Sequence, residues 1–387
     1  QYLAQCGWEV HFATSKQLPK SNTAIKIHRF SANRKPNKQI HHYLHSTESA
    51  ILNAQGFARL AVELRQAGFL PDIIVAHSGW GSGSLAKSVW PSSKFVQYLE
   101  WWYNYPAWDS LEKNNNNNNL DTQAKTLFNN LPFYTDWTNA DATIVPTRFQ
   151  ASAIPRKLRQ NILVHHDGID TTFFKPRDCA SELRQKLGIP ETAKIVTFAT
   201  RGMEPHRGFP QFMESWAKLS ATRKDVHCVI AGTDTVHYGP NLKEGDSYKK
   251  RVLETLDIDE ARTHFVGRLP LNDYRDLLCA SDCHVYLTVP FVLSWSLLEA
   301  MSCAAPIVSN KNESVREVME DRTTGRLADL RNIDEIAAMI EEILDNPNSA
   351  QKYGQNARDL IIKKYSRSMI YPQKDKLFRK IAGFDAD

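Results

Sequence analysis

Short apolar runs bounded by turn residues recur through the first part of the chain, at 10–13, 73–76, 95–99, 143–145 and 162–165. Between them lie stretches such as 49–67, whose apolar residues recur at helical spacing, the pattern of buried parallel strands joined by helices. A second series follows at 195–199, 227–231, 264–266, 283–287 and 306–309, with helices fitting at 209–219, 271–280, 297–303 and 333–344. Strand and helix alternating twice over predicts two doubly wound, Rossmann-like α/β domains. The break falls near Asp167-Gly168-Ile169-Asp170, giving domains 1–168 and 169–365 and a terminal segment 366–387. Residues 1–7 read as the end of a helix feeding a strand, so the first domain is expected to lack its first strand. The six asparagines at 114–119 have no capacity to pack and read as a mobile loop, or as a stand-in for unidentified residues.

Composition changes little in this picture. A length of 387 residues suits two domains, and 42% apolar with 24% charged residues is ordinary for a globular protein. No apolar run approaches the roughly 18 to 20 residues that span a bilayer, and the N-terminus lacks the basic start and apolar centre of a signal peptide. Six scattered cysteines form no C-x-x-C pair. A disulfide framework or zinc site is therefore not expected, and a reducing cytoplasm fits.

Charge adds one local feature. Of the net +5, seven positive charges (Lys16, Lys20, Lys26, Arg29, Arg34, Lys35, Lys38) lie between His11 and Thr47, where there is no Asp or Glu. Such a stretch suits a nucleic-acid surface, the anionic face of a membrane, a lipid diphosphate, or only a solvated loop.

Candidate chemistry concentrates at the ends of predicted strands, where doubly wound sheets hold ligands. After the 195–199 strand, Arg201 and Arg207 stand six residues apart across a tight loop that also carries Glu204. Two guanidiniums there suit a diphosphate, because the planar fork bonds phosphate oxygens in pairs; two exposed loop arginines would look the same. After the 283–287 strand, Ser294 is a plausible helix N-cap. Leu293, Ser294, Trp295 and Ser296 would offer backbone groups to a phosphate. Glu299, two turns in, suits the hydroxyls of a ribose, or merely complements the helix dipole. In the first domain His77 leads the glycine-rich run Ser78-Gly79-Trp80-Gly81-Ser82-Gly83, which can receive a phosphate or sugar or simply begin a helix. Glu100 ends the next strand, where an acid can orient a hydroxyl or accept its proton. Trp101, Trp102, Tyr103, Tyr105 and Trp108 suit sugar stacking, a lipid interface or core packing.

Arg201-x5-Arg207-Gly208 followed by Leu297-Leu298-Glu299-Ala300-Met301 resembles the family-4 retaining glycosyltransferases of GT-B fold. Four further segments resemble that family in order: Ala140 to Thr147, His166-Asp167-Gly168-Ile169-Asp170 with Phe174 and Pro176, Val266-Gly267-Arg268 through Tyr274 to Asp282, and Ser309 through Leu327. The match covers most of residues 60–365. It implies two Rossmann-like domains facing across a cleft, with the terminal helix 366–384 crossing back to the first.

It further implies that Arg201 and Arg207 neutralise a donor diphosphate, Glu299 binds the nucleotide ribose, and Arg268 and Leu269 lie beside the base. The partners implied are a nucleotide sugar, for which UDP-glucose is the expectation, and a glycan or lipid-linked saccharide acceptor at the cytoplasmic membrane face. Nucleic acid is not expected. Nor is a cofactor or metal: Asp257-x-Asp259 falls in a polar, helix-like segment and Asp385-x-Asp387 is the chain end. A dehydrogenase is disfavoured because Gly79-Trp80-Gly81-Ser82-Gly83 lacks the G-x-G-x-x-G spacing. Two departures stand out. The family's Glu-x7-Glu becomes Phe291-x7-Glu299, which admits a module that binds without turnover. Glu100 stands roughly where relatives place a histidine facing the sugar.

Overall fold

The computed structural model describes residues 1–17, 24–108, 120–239 and 242–384; the asparagine run, Lys20, Asp385 and Asp387 lie outside them. The chain forms two compact units. Unit 1 comprises residues 1–107, 114–167 and 370–387, and unit 2 comprises 108–113 and 168–369.

Unit 2 is a six-stranded parallel sheet in the order β12-β11-β10-β7-β8-β9. Its strands are β7 (Lys194–Gly202), β8 (Val226–Thr233), β9 (Thr263–Gly267), β10 (Cys283–Tyr286), β11 (Ile307–Asn310) and β12 (Arg326–Ala328). The central strands are buried almost end to end, as expected for a parallel sheet covered on both faces. The chain winds outward from β7 through β8 to β9, then returns to β10 on the other side of β7 and winds outward again. A topological switch point therefore lies between β7 and β10, and the crevice beyond their carboxyl ends is where such a sheet holds ligands.

The helices follow their apolar periodicity. That of α3 (Phe209–Thr222) buries Phe209, Phe212, Met213, Trp216 and Leu219, and the Trp216 indole donates to Thr263 Oγ1 at 2.8 Å. Further on, α4 (Leu271–Cys279), α5 (Trp295–Ser302), α6 (Ile333–Asp345) and α7 (Pro347–Lys364) complete the layers. Leu297, Leu298 and Met301 of α5 share one core with Ala357 and Ile361 of α7.

Unit 1 holds a four-stranded parallel sheet, β3-β4-β5-β6, made of β3 (Ile73–His77), β4 (Lys94–Tyr98), β5 (Ala142–Val145) and β6 (Ile162–Val164). Helix α1 (His45–Gln66) packs beside it, α2 (Leu131–Asn139) precedes β5, and residues 370–382 of the last helix, α8 (Arg367–Ala382), belong to this unit. The first predicted strand does not join that sheet. Instead β1 (His11–Thr14) pairs in parallel with β2 (Lys26–Arg29), and the edges of β1 and β3 line one groove of about 730 Å³.

The sequence offered no sign of β2 because Lys-Ile-His-Arg carries no apolar alternation. Backbone pairing and the stacked rings of His11 and His28, 4.9 Å apart, hold it. The basic stretch is thus partly a strand, and Glu9 and Glu48 pair with its Lys26 and Arg34. No helix of the described residues is long and apolar enough to cross a membrane.

Gly354 marks the closest approach in unit 2: a Cβ there would lie 2.1 Å from the carbonyl oxygen of Ala304, just past α5. Gly354→Ala is expected to push α7 off that turn and lower stability by roughly 1–3 kcal/mol. Urea denaturation checks this, and an unchanged midpoint would show that the contact yields freely.

Candidate active site

A cavity of about 750 Å³ opens at the switch point of unit 2. The extended end of β7 carries Thr200 and Arg201 to its wall, and the turn before α3 brings Arg207. That turn closes on Gly208, at φ 66°, where a Cβ would lie 2.3 Å from Leu287 Cβ, so glycine is required on steric and conformational grounds. The loop after β10 and the start of α5 add Ser294, Trp295, Ser296 and Glu299, and the loop after β9 adds Arg268 and Leu269.

The two leading arginines are held very differently. Arg201 is exposed, and only its backbone is pinned, its carbonyl accepting from Thr233 Oγ1 at 2.7 Å. Arg207 is 8% exposed. Its Nη1 donates to Tyr286 Oη at 3.3 Å, Thr288 Oγ1 at 3.0 Å and the Val292 carbonyl at 3.2 Å. The rings of Tyr238 and Phe291 lie 5.3 and 5.5 Å from its guanidinium carbon, within cation–π range. None of the ion pairs among the described residues involves Arg201 or Arg207. Their charge is left to attract an anion.

Glu299 projects from α5, and Tyr274 Oη donates to its Oε2 at 3.1 Å. Burial raises its pKa to about 7, although the Tyr274 hydrogen bond and the Arg367 charge oppose the rise. Ser294 caps α5: its Oγ accepts from the Ser296 N–H at 3.3 Å, and its own N–H donates to Tyr286 Oη at 3.1 Å. Those two N–H groups, Ser296's among them, are therefore engaged within the protein, contrary to the expectation that Ser296 offers a free donor.

Two expected donor-site residues do not line the cavity. Leu293 is buried in the core shared by α5 and α7, so its side chain faces away. Glu204 is fully buried, and its Oε2 accepts the backbone N–H groups of His237 and Tyr238. It positions the loop that lays Tyr238 beside Arg207, while its Oε1 is buried without a partner. That loop was missed: Gly232, Thr233, Thr235, His237 and Tyr238 all line the cavity. The available signal was Ala231-Gly232-Thr233 at the carboxyl end of a strand adjacent to β7. Gly232 packs so closely that a Cβ would lie 2.4 Å from the Thr200 carbonyl oxygen.

His77 and Glu100 form a separate constellation in unit 1. His77 Nε2 lies 3.2 Å from Glu100 Oε2, and its Nδ1 lies 3.1 Å from the Ser78 carbonyl oxygen. Burial alone would lower the His77 pKa; the Glu100 hydrogen bond and charge outweigh it and raise the value. Nearby, Tyr98 Oη donates to Asp167 at 2.7 Å, and Lys374 pairs with the same carboxylate. The aromatic run divides: Trp101 and Trp102 are buried, whereas Tyr103 and Trp108 are exposed. Among the described residues no group of three or more His, Cys, Asp or Glu is placed to hold a metal ion. Asp257 and Asp259 lie in a loop rather than a helix, and Asp259 pairs with Arg262 at 2.7 Å.

Solved structures similar to the whole chain place the fold. Sucrose-phosphate synthase from Thermosynechococcus elongatus matches with a TM-score of 0.75 at 18% identity, over 99% of this chain and 92% of that one. The Anabaena protein HepE in complex with UDP and glucose matches with a TM-score of 0.69 at 18% identity, over 92% and 87%. The fold is GT-B. Two family models match in tandem, one described as glycosyl transferase family 4 group over residues 6–174 and one as glycosyl transferases group 1 over residues 180–360. The chain belongs to the group 1, family-4 glycosyltransferases.

Among curated relatives, alpha-maltose-1-phosphate synthase of Mycolicibacterium smegmatis is 26% identical over 230 residues, 57% of each chain. Alpha-D-kanosaminyltransferase of Streptomyces kanamyceticus is 25% identical over 211 residues, 54% of this chain and 52% of that protein. These matches thus span just over half the length of the curated relatives.

The Glu299 shift has a consequence for folding. An unfolded glutamate releases its proton near pH 4.3, whereas the folded protein keeps this one to about pH 7. Between those values the folded state binds more protons, so the stabilising contribution present at low pH is lost as pH rises through about 7. Glu299→Gln keeps the shape and an acceptor for Tyr274. It is expected to flatten this dependence, gaining on the order of 1 kcal/mol over the parent protein between pH 5 and pH 8. Urea denaturation at the two pH values checks it; parallel curves would place the titration elsewhere.

Proposed function

We propose that the protein transfers a hexosyl group from a nucleotide diphosphate sugar, UDP-glucose, to a hydroxyl of a saccharide or lipid-linked saccharide, with retention of configuration. The observation that carries this reading is Arg207, buried without a carboxylate and opening on the same cavity as Arg201, Glu299, Arg268 and Leu269. Family membership supports it, as does HepE, whose structure holds UDP and glucose. The Glu299 carboxylate accepts the ribose hydroxyls, Arg268 and Leu269 flank the base, and the two arginines face the diphosphate.

In the reaction the bond from sugar C1 to the phosphate oxygen breaks, and its electron pair leaves with the diphosphate. The acceptor oxygen bonds C1 on the same face and passes its proton to the departing phosphate. Negative charge grows on that phosphate, and fixed guanidiniums lower the barrier because they need not reorganise as it grows. The arginines fill the role that a divalent cation would otherwise take. The His77–Glu100 pair is proposed to bind the acceptor hydroxyls, and the Lys and Arg residues of 16–38 to approach an anionic membrane face.

A second reading is favoured by Phe291, which puts an apolar ring where the family's first glutamate stands. A module that binds nucleotide sugars without turnover would tolerate that ring. Release of UDP from UDP-glucose, followed over a panel of saccharide acceptors, separates the two. Saturable binding with no release would establish the module.

Glu299→Ala is expected to weaken UDP-glucose binding about 10-fold, measured by calorimetry, as loss of a charged hydrogen-bond acceptor predicts. Arg201→Ala is expected to lower turnover on the order of 100-fold while uridine binding changes little. Wild-type behaviour of either variant would remove that residue from the proposed site.

A further inference from the structure

The loop following β3 is built to hold one large aromatic ring in solvent. Trp80 is 64% exposed, yet the backbone on each side of it is fixed. Gly79 has φ 89°, and a Cβ there would lie 2.3 Å from the Phe133 ring. Gly81 has φ 85°, and a Cβ there would lie 1.9 Å from the Ala50 carbonyl oxygen. Beneath the loop, fully buried Asp136 accepts from Ser78 Oγ at 2.7 Å, from Ser84 Oγ at 2.5 Å and from the Gly79 N–H. Leaving an indole in water forfeits the burial energy that a core tryptophan gains. A rigid loop that nonetheless holds it out marks a contact surface rather than an unpacked residue.

What surrounds the indole selects the ligand. The His77 ring lies 6.5 Å from it, and the His77 and Glu100 side chains are 43% and 42% exposed. Phe133, the ring against which Gly79 packs, also carries 41%-exposed Tyr103 stacked on it at 6.1 Å, and the Asn130 amide bonds both the N–H and the carbonyl of Tyr103. The loop therefore presents an exposed indole beside an imidazole and its carboxylate partner, with a second exposed ring on the Phe133 that underlies Gly79. A membrane surface would favour an unbroken apolar patch or a basic one. A pyranose fits better: its C–H face stacks on the indole while its rim hydroxyls donate to the Glu100 carboxylate, which His77 holds in place.

We infer that Trp80, with Tyr103, His77 and Glu100, forms a pyranose-binding site on unit 1, and that Trp80 is its stacking platform. This deepens the proposed function, on which it rests for the identification of the bound sugar as the acceptor.

The test uses the full chain labelled with 5-fluorotryptophan, the Trp80 fluorine resonance being assigned by its loss in Trp80→Phe. Glucose, maltose, N-acetylglucosamine and mannose are titrated to about 100 mM, and phosphatidylcholine vesicles are added separately. The expected result is that at least one saccharide shifts the Trp80 resonance saturably and the vesicles do not. Trp80→Ala should then weaken that saccharide's binding tenfold or more, measured by ligand-observed NMR, with Trp80→Phe in between and UDP-glucose affinity unchanged within twofold. A resonance unmoved by all four sugars, or moved only by vesicles, overturns the inference, as does Trp80→Ala binding sugar like the parent. Failure of UDP-glucose to bind would instead sink the functional reading and leave the saccharide result standing.

Discussion

Burying a guanidinium without a carboxylate beside it costs free energy that hydrogen bonds or an arriving anion must offset. Unit 2 is organised around that constraint at Arg207. One nitrogen is satisfied by a tyrosine, a threonine and a carbonyl, all from β10 and the loop beyond it. The same Tyr286 hydroxyl also accepts the N–H of Ser294, so the group that steadies the cation also fixes the start of α5. Glu204, fully buried, ties the loop after β8 in place and brings Tyr238 beside the guanidinium. Three strand-end loops thereby converge on one charge.

This dependence explains why the neighbouring groups behave as they do. Glu299 is desolvated by the side chains packed around α5, so its carboxyl resists ionisation until about pH 7 even with Tyr274 donating to it. Phe291 covers Arg207 with an apolar ring where an acid would have competed with a phosphate for the cation. In the proposed function this departure from the family pattern leaves the charge to the donor diphosphate and withdraws an acid from the sugar end of the site.

Unit 1 solves a different problem with similar means. Asp136 is buried and raised in pKa by desolvation, with its hydrogen bonds opposing the rise, and those bonds brace a glycine loop. A polar group deep in the unit therefore determines what stands in solvent above it. In both units a buried acid, Glu204 through one oxygen or Asp136 through both, shapes a loop by accepting hydrogen bonds from it.

Much of this was legible in the residues. Apolar runs located ten strands, because a strand buried on both faces has to be continuously apolar, and the order of strands and helices implied parallel sheets. Arg201, Arg207 and Glu299 could be named as candidates because strand ends are where such sheets hold ligands, whereas Arg268 came only from the family resemblance. The strand Lys26–Arg29 was hidden, since backbone pairing leaves no apolar signature. Glu204 and Leu293 were legible only as neighbours of the site; which way each side chain points depends on partners 30 or more residues away, or on the core between α5 and α7. Trp80 and Trp101 look alike in sequence, one exposed and one buried. Sequence by itself determined the elements and the chemistry available to them, because period and residue type are local. Only the tertiary structure decided which groups are desolvated, paired or left free, because burial is a property of what packs against them.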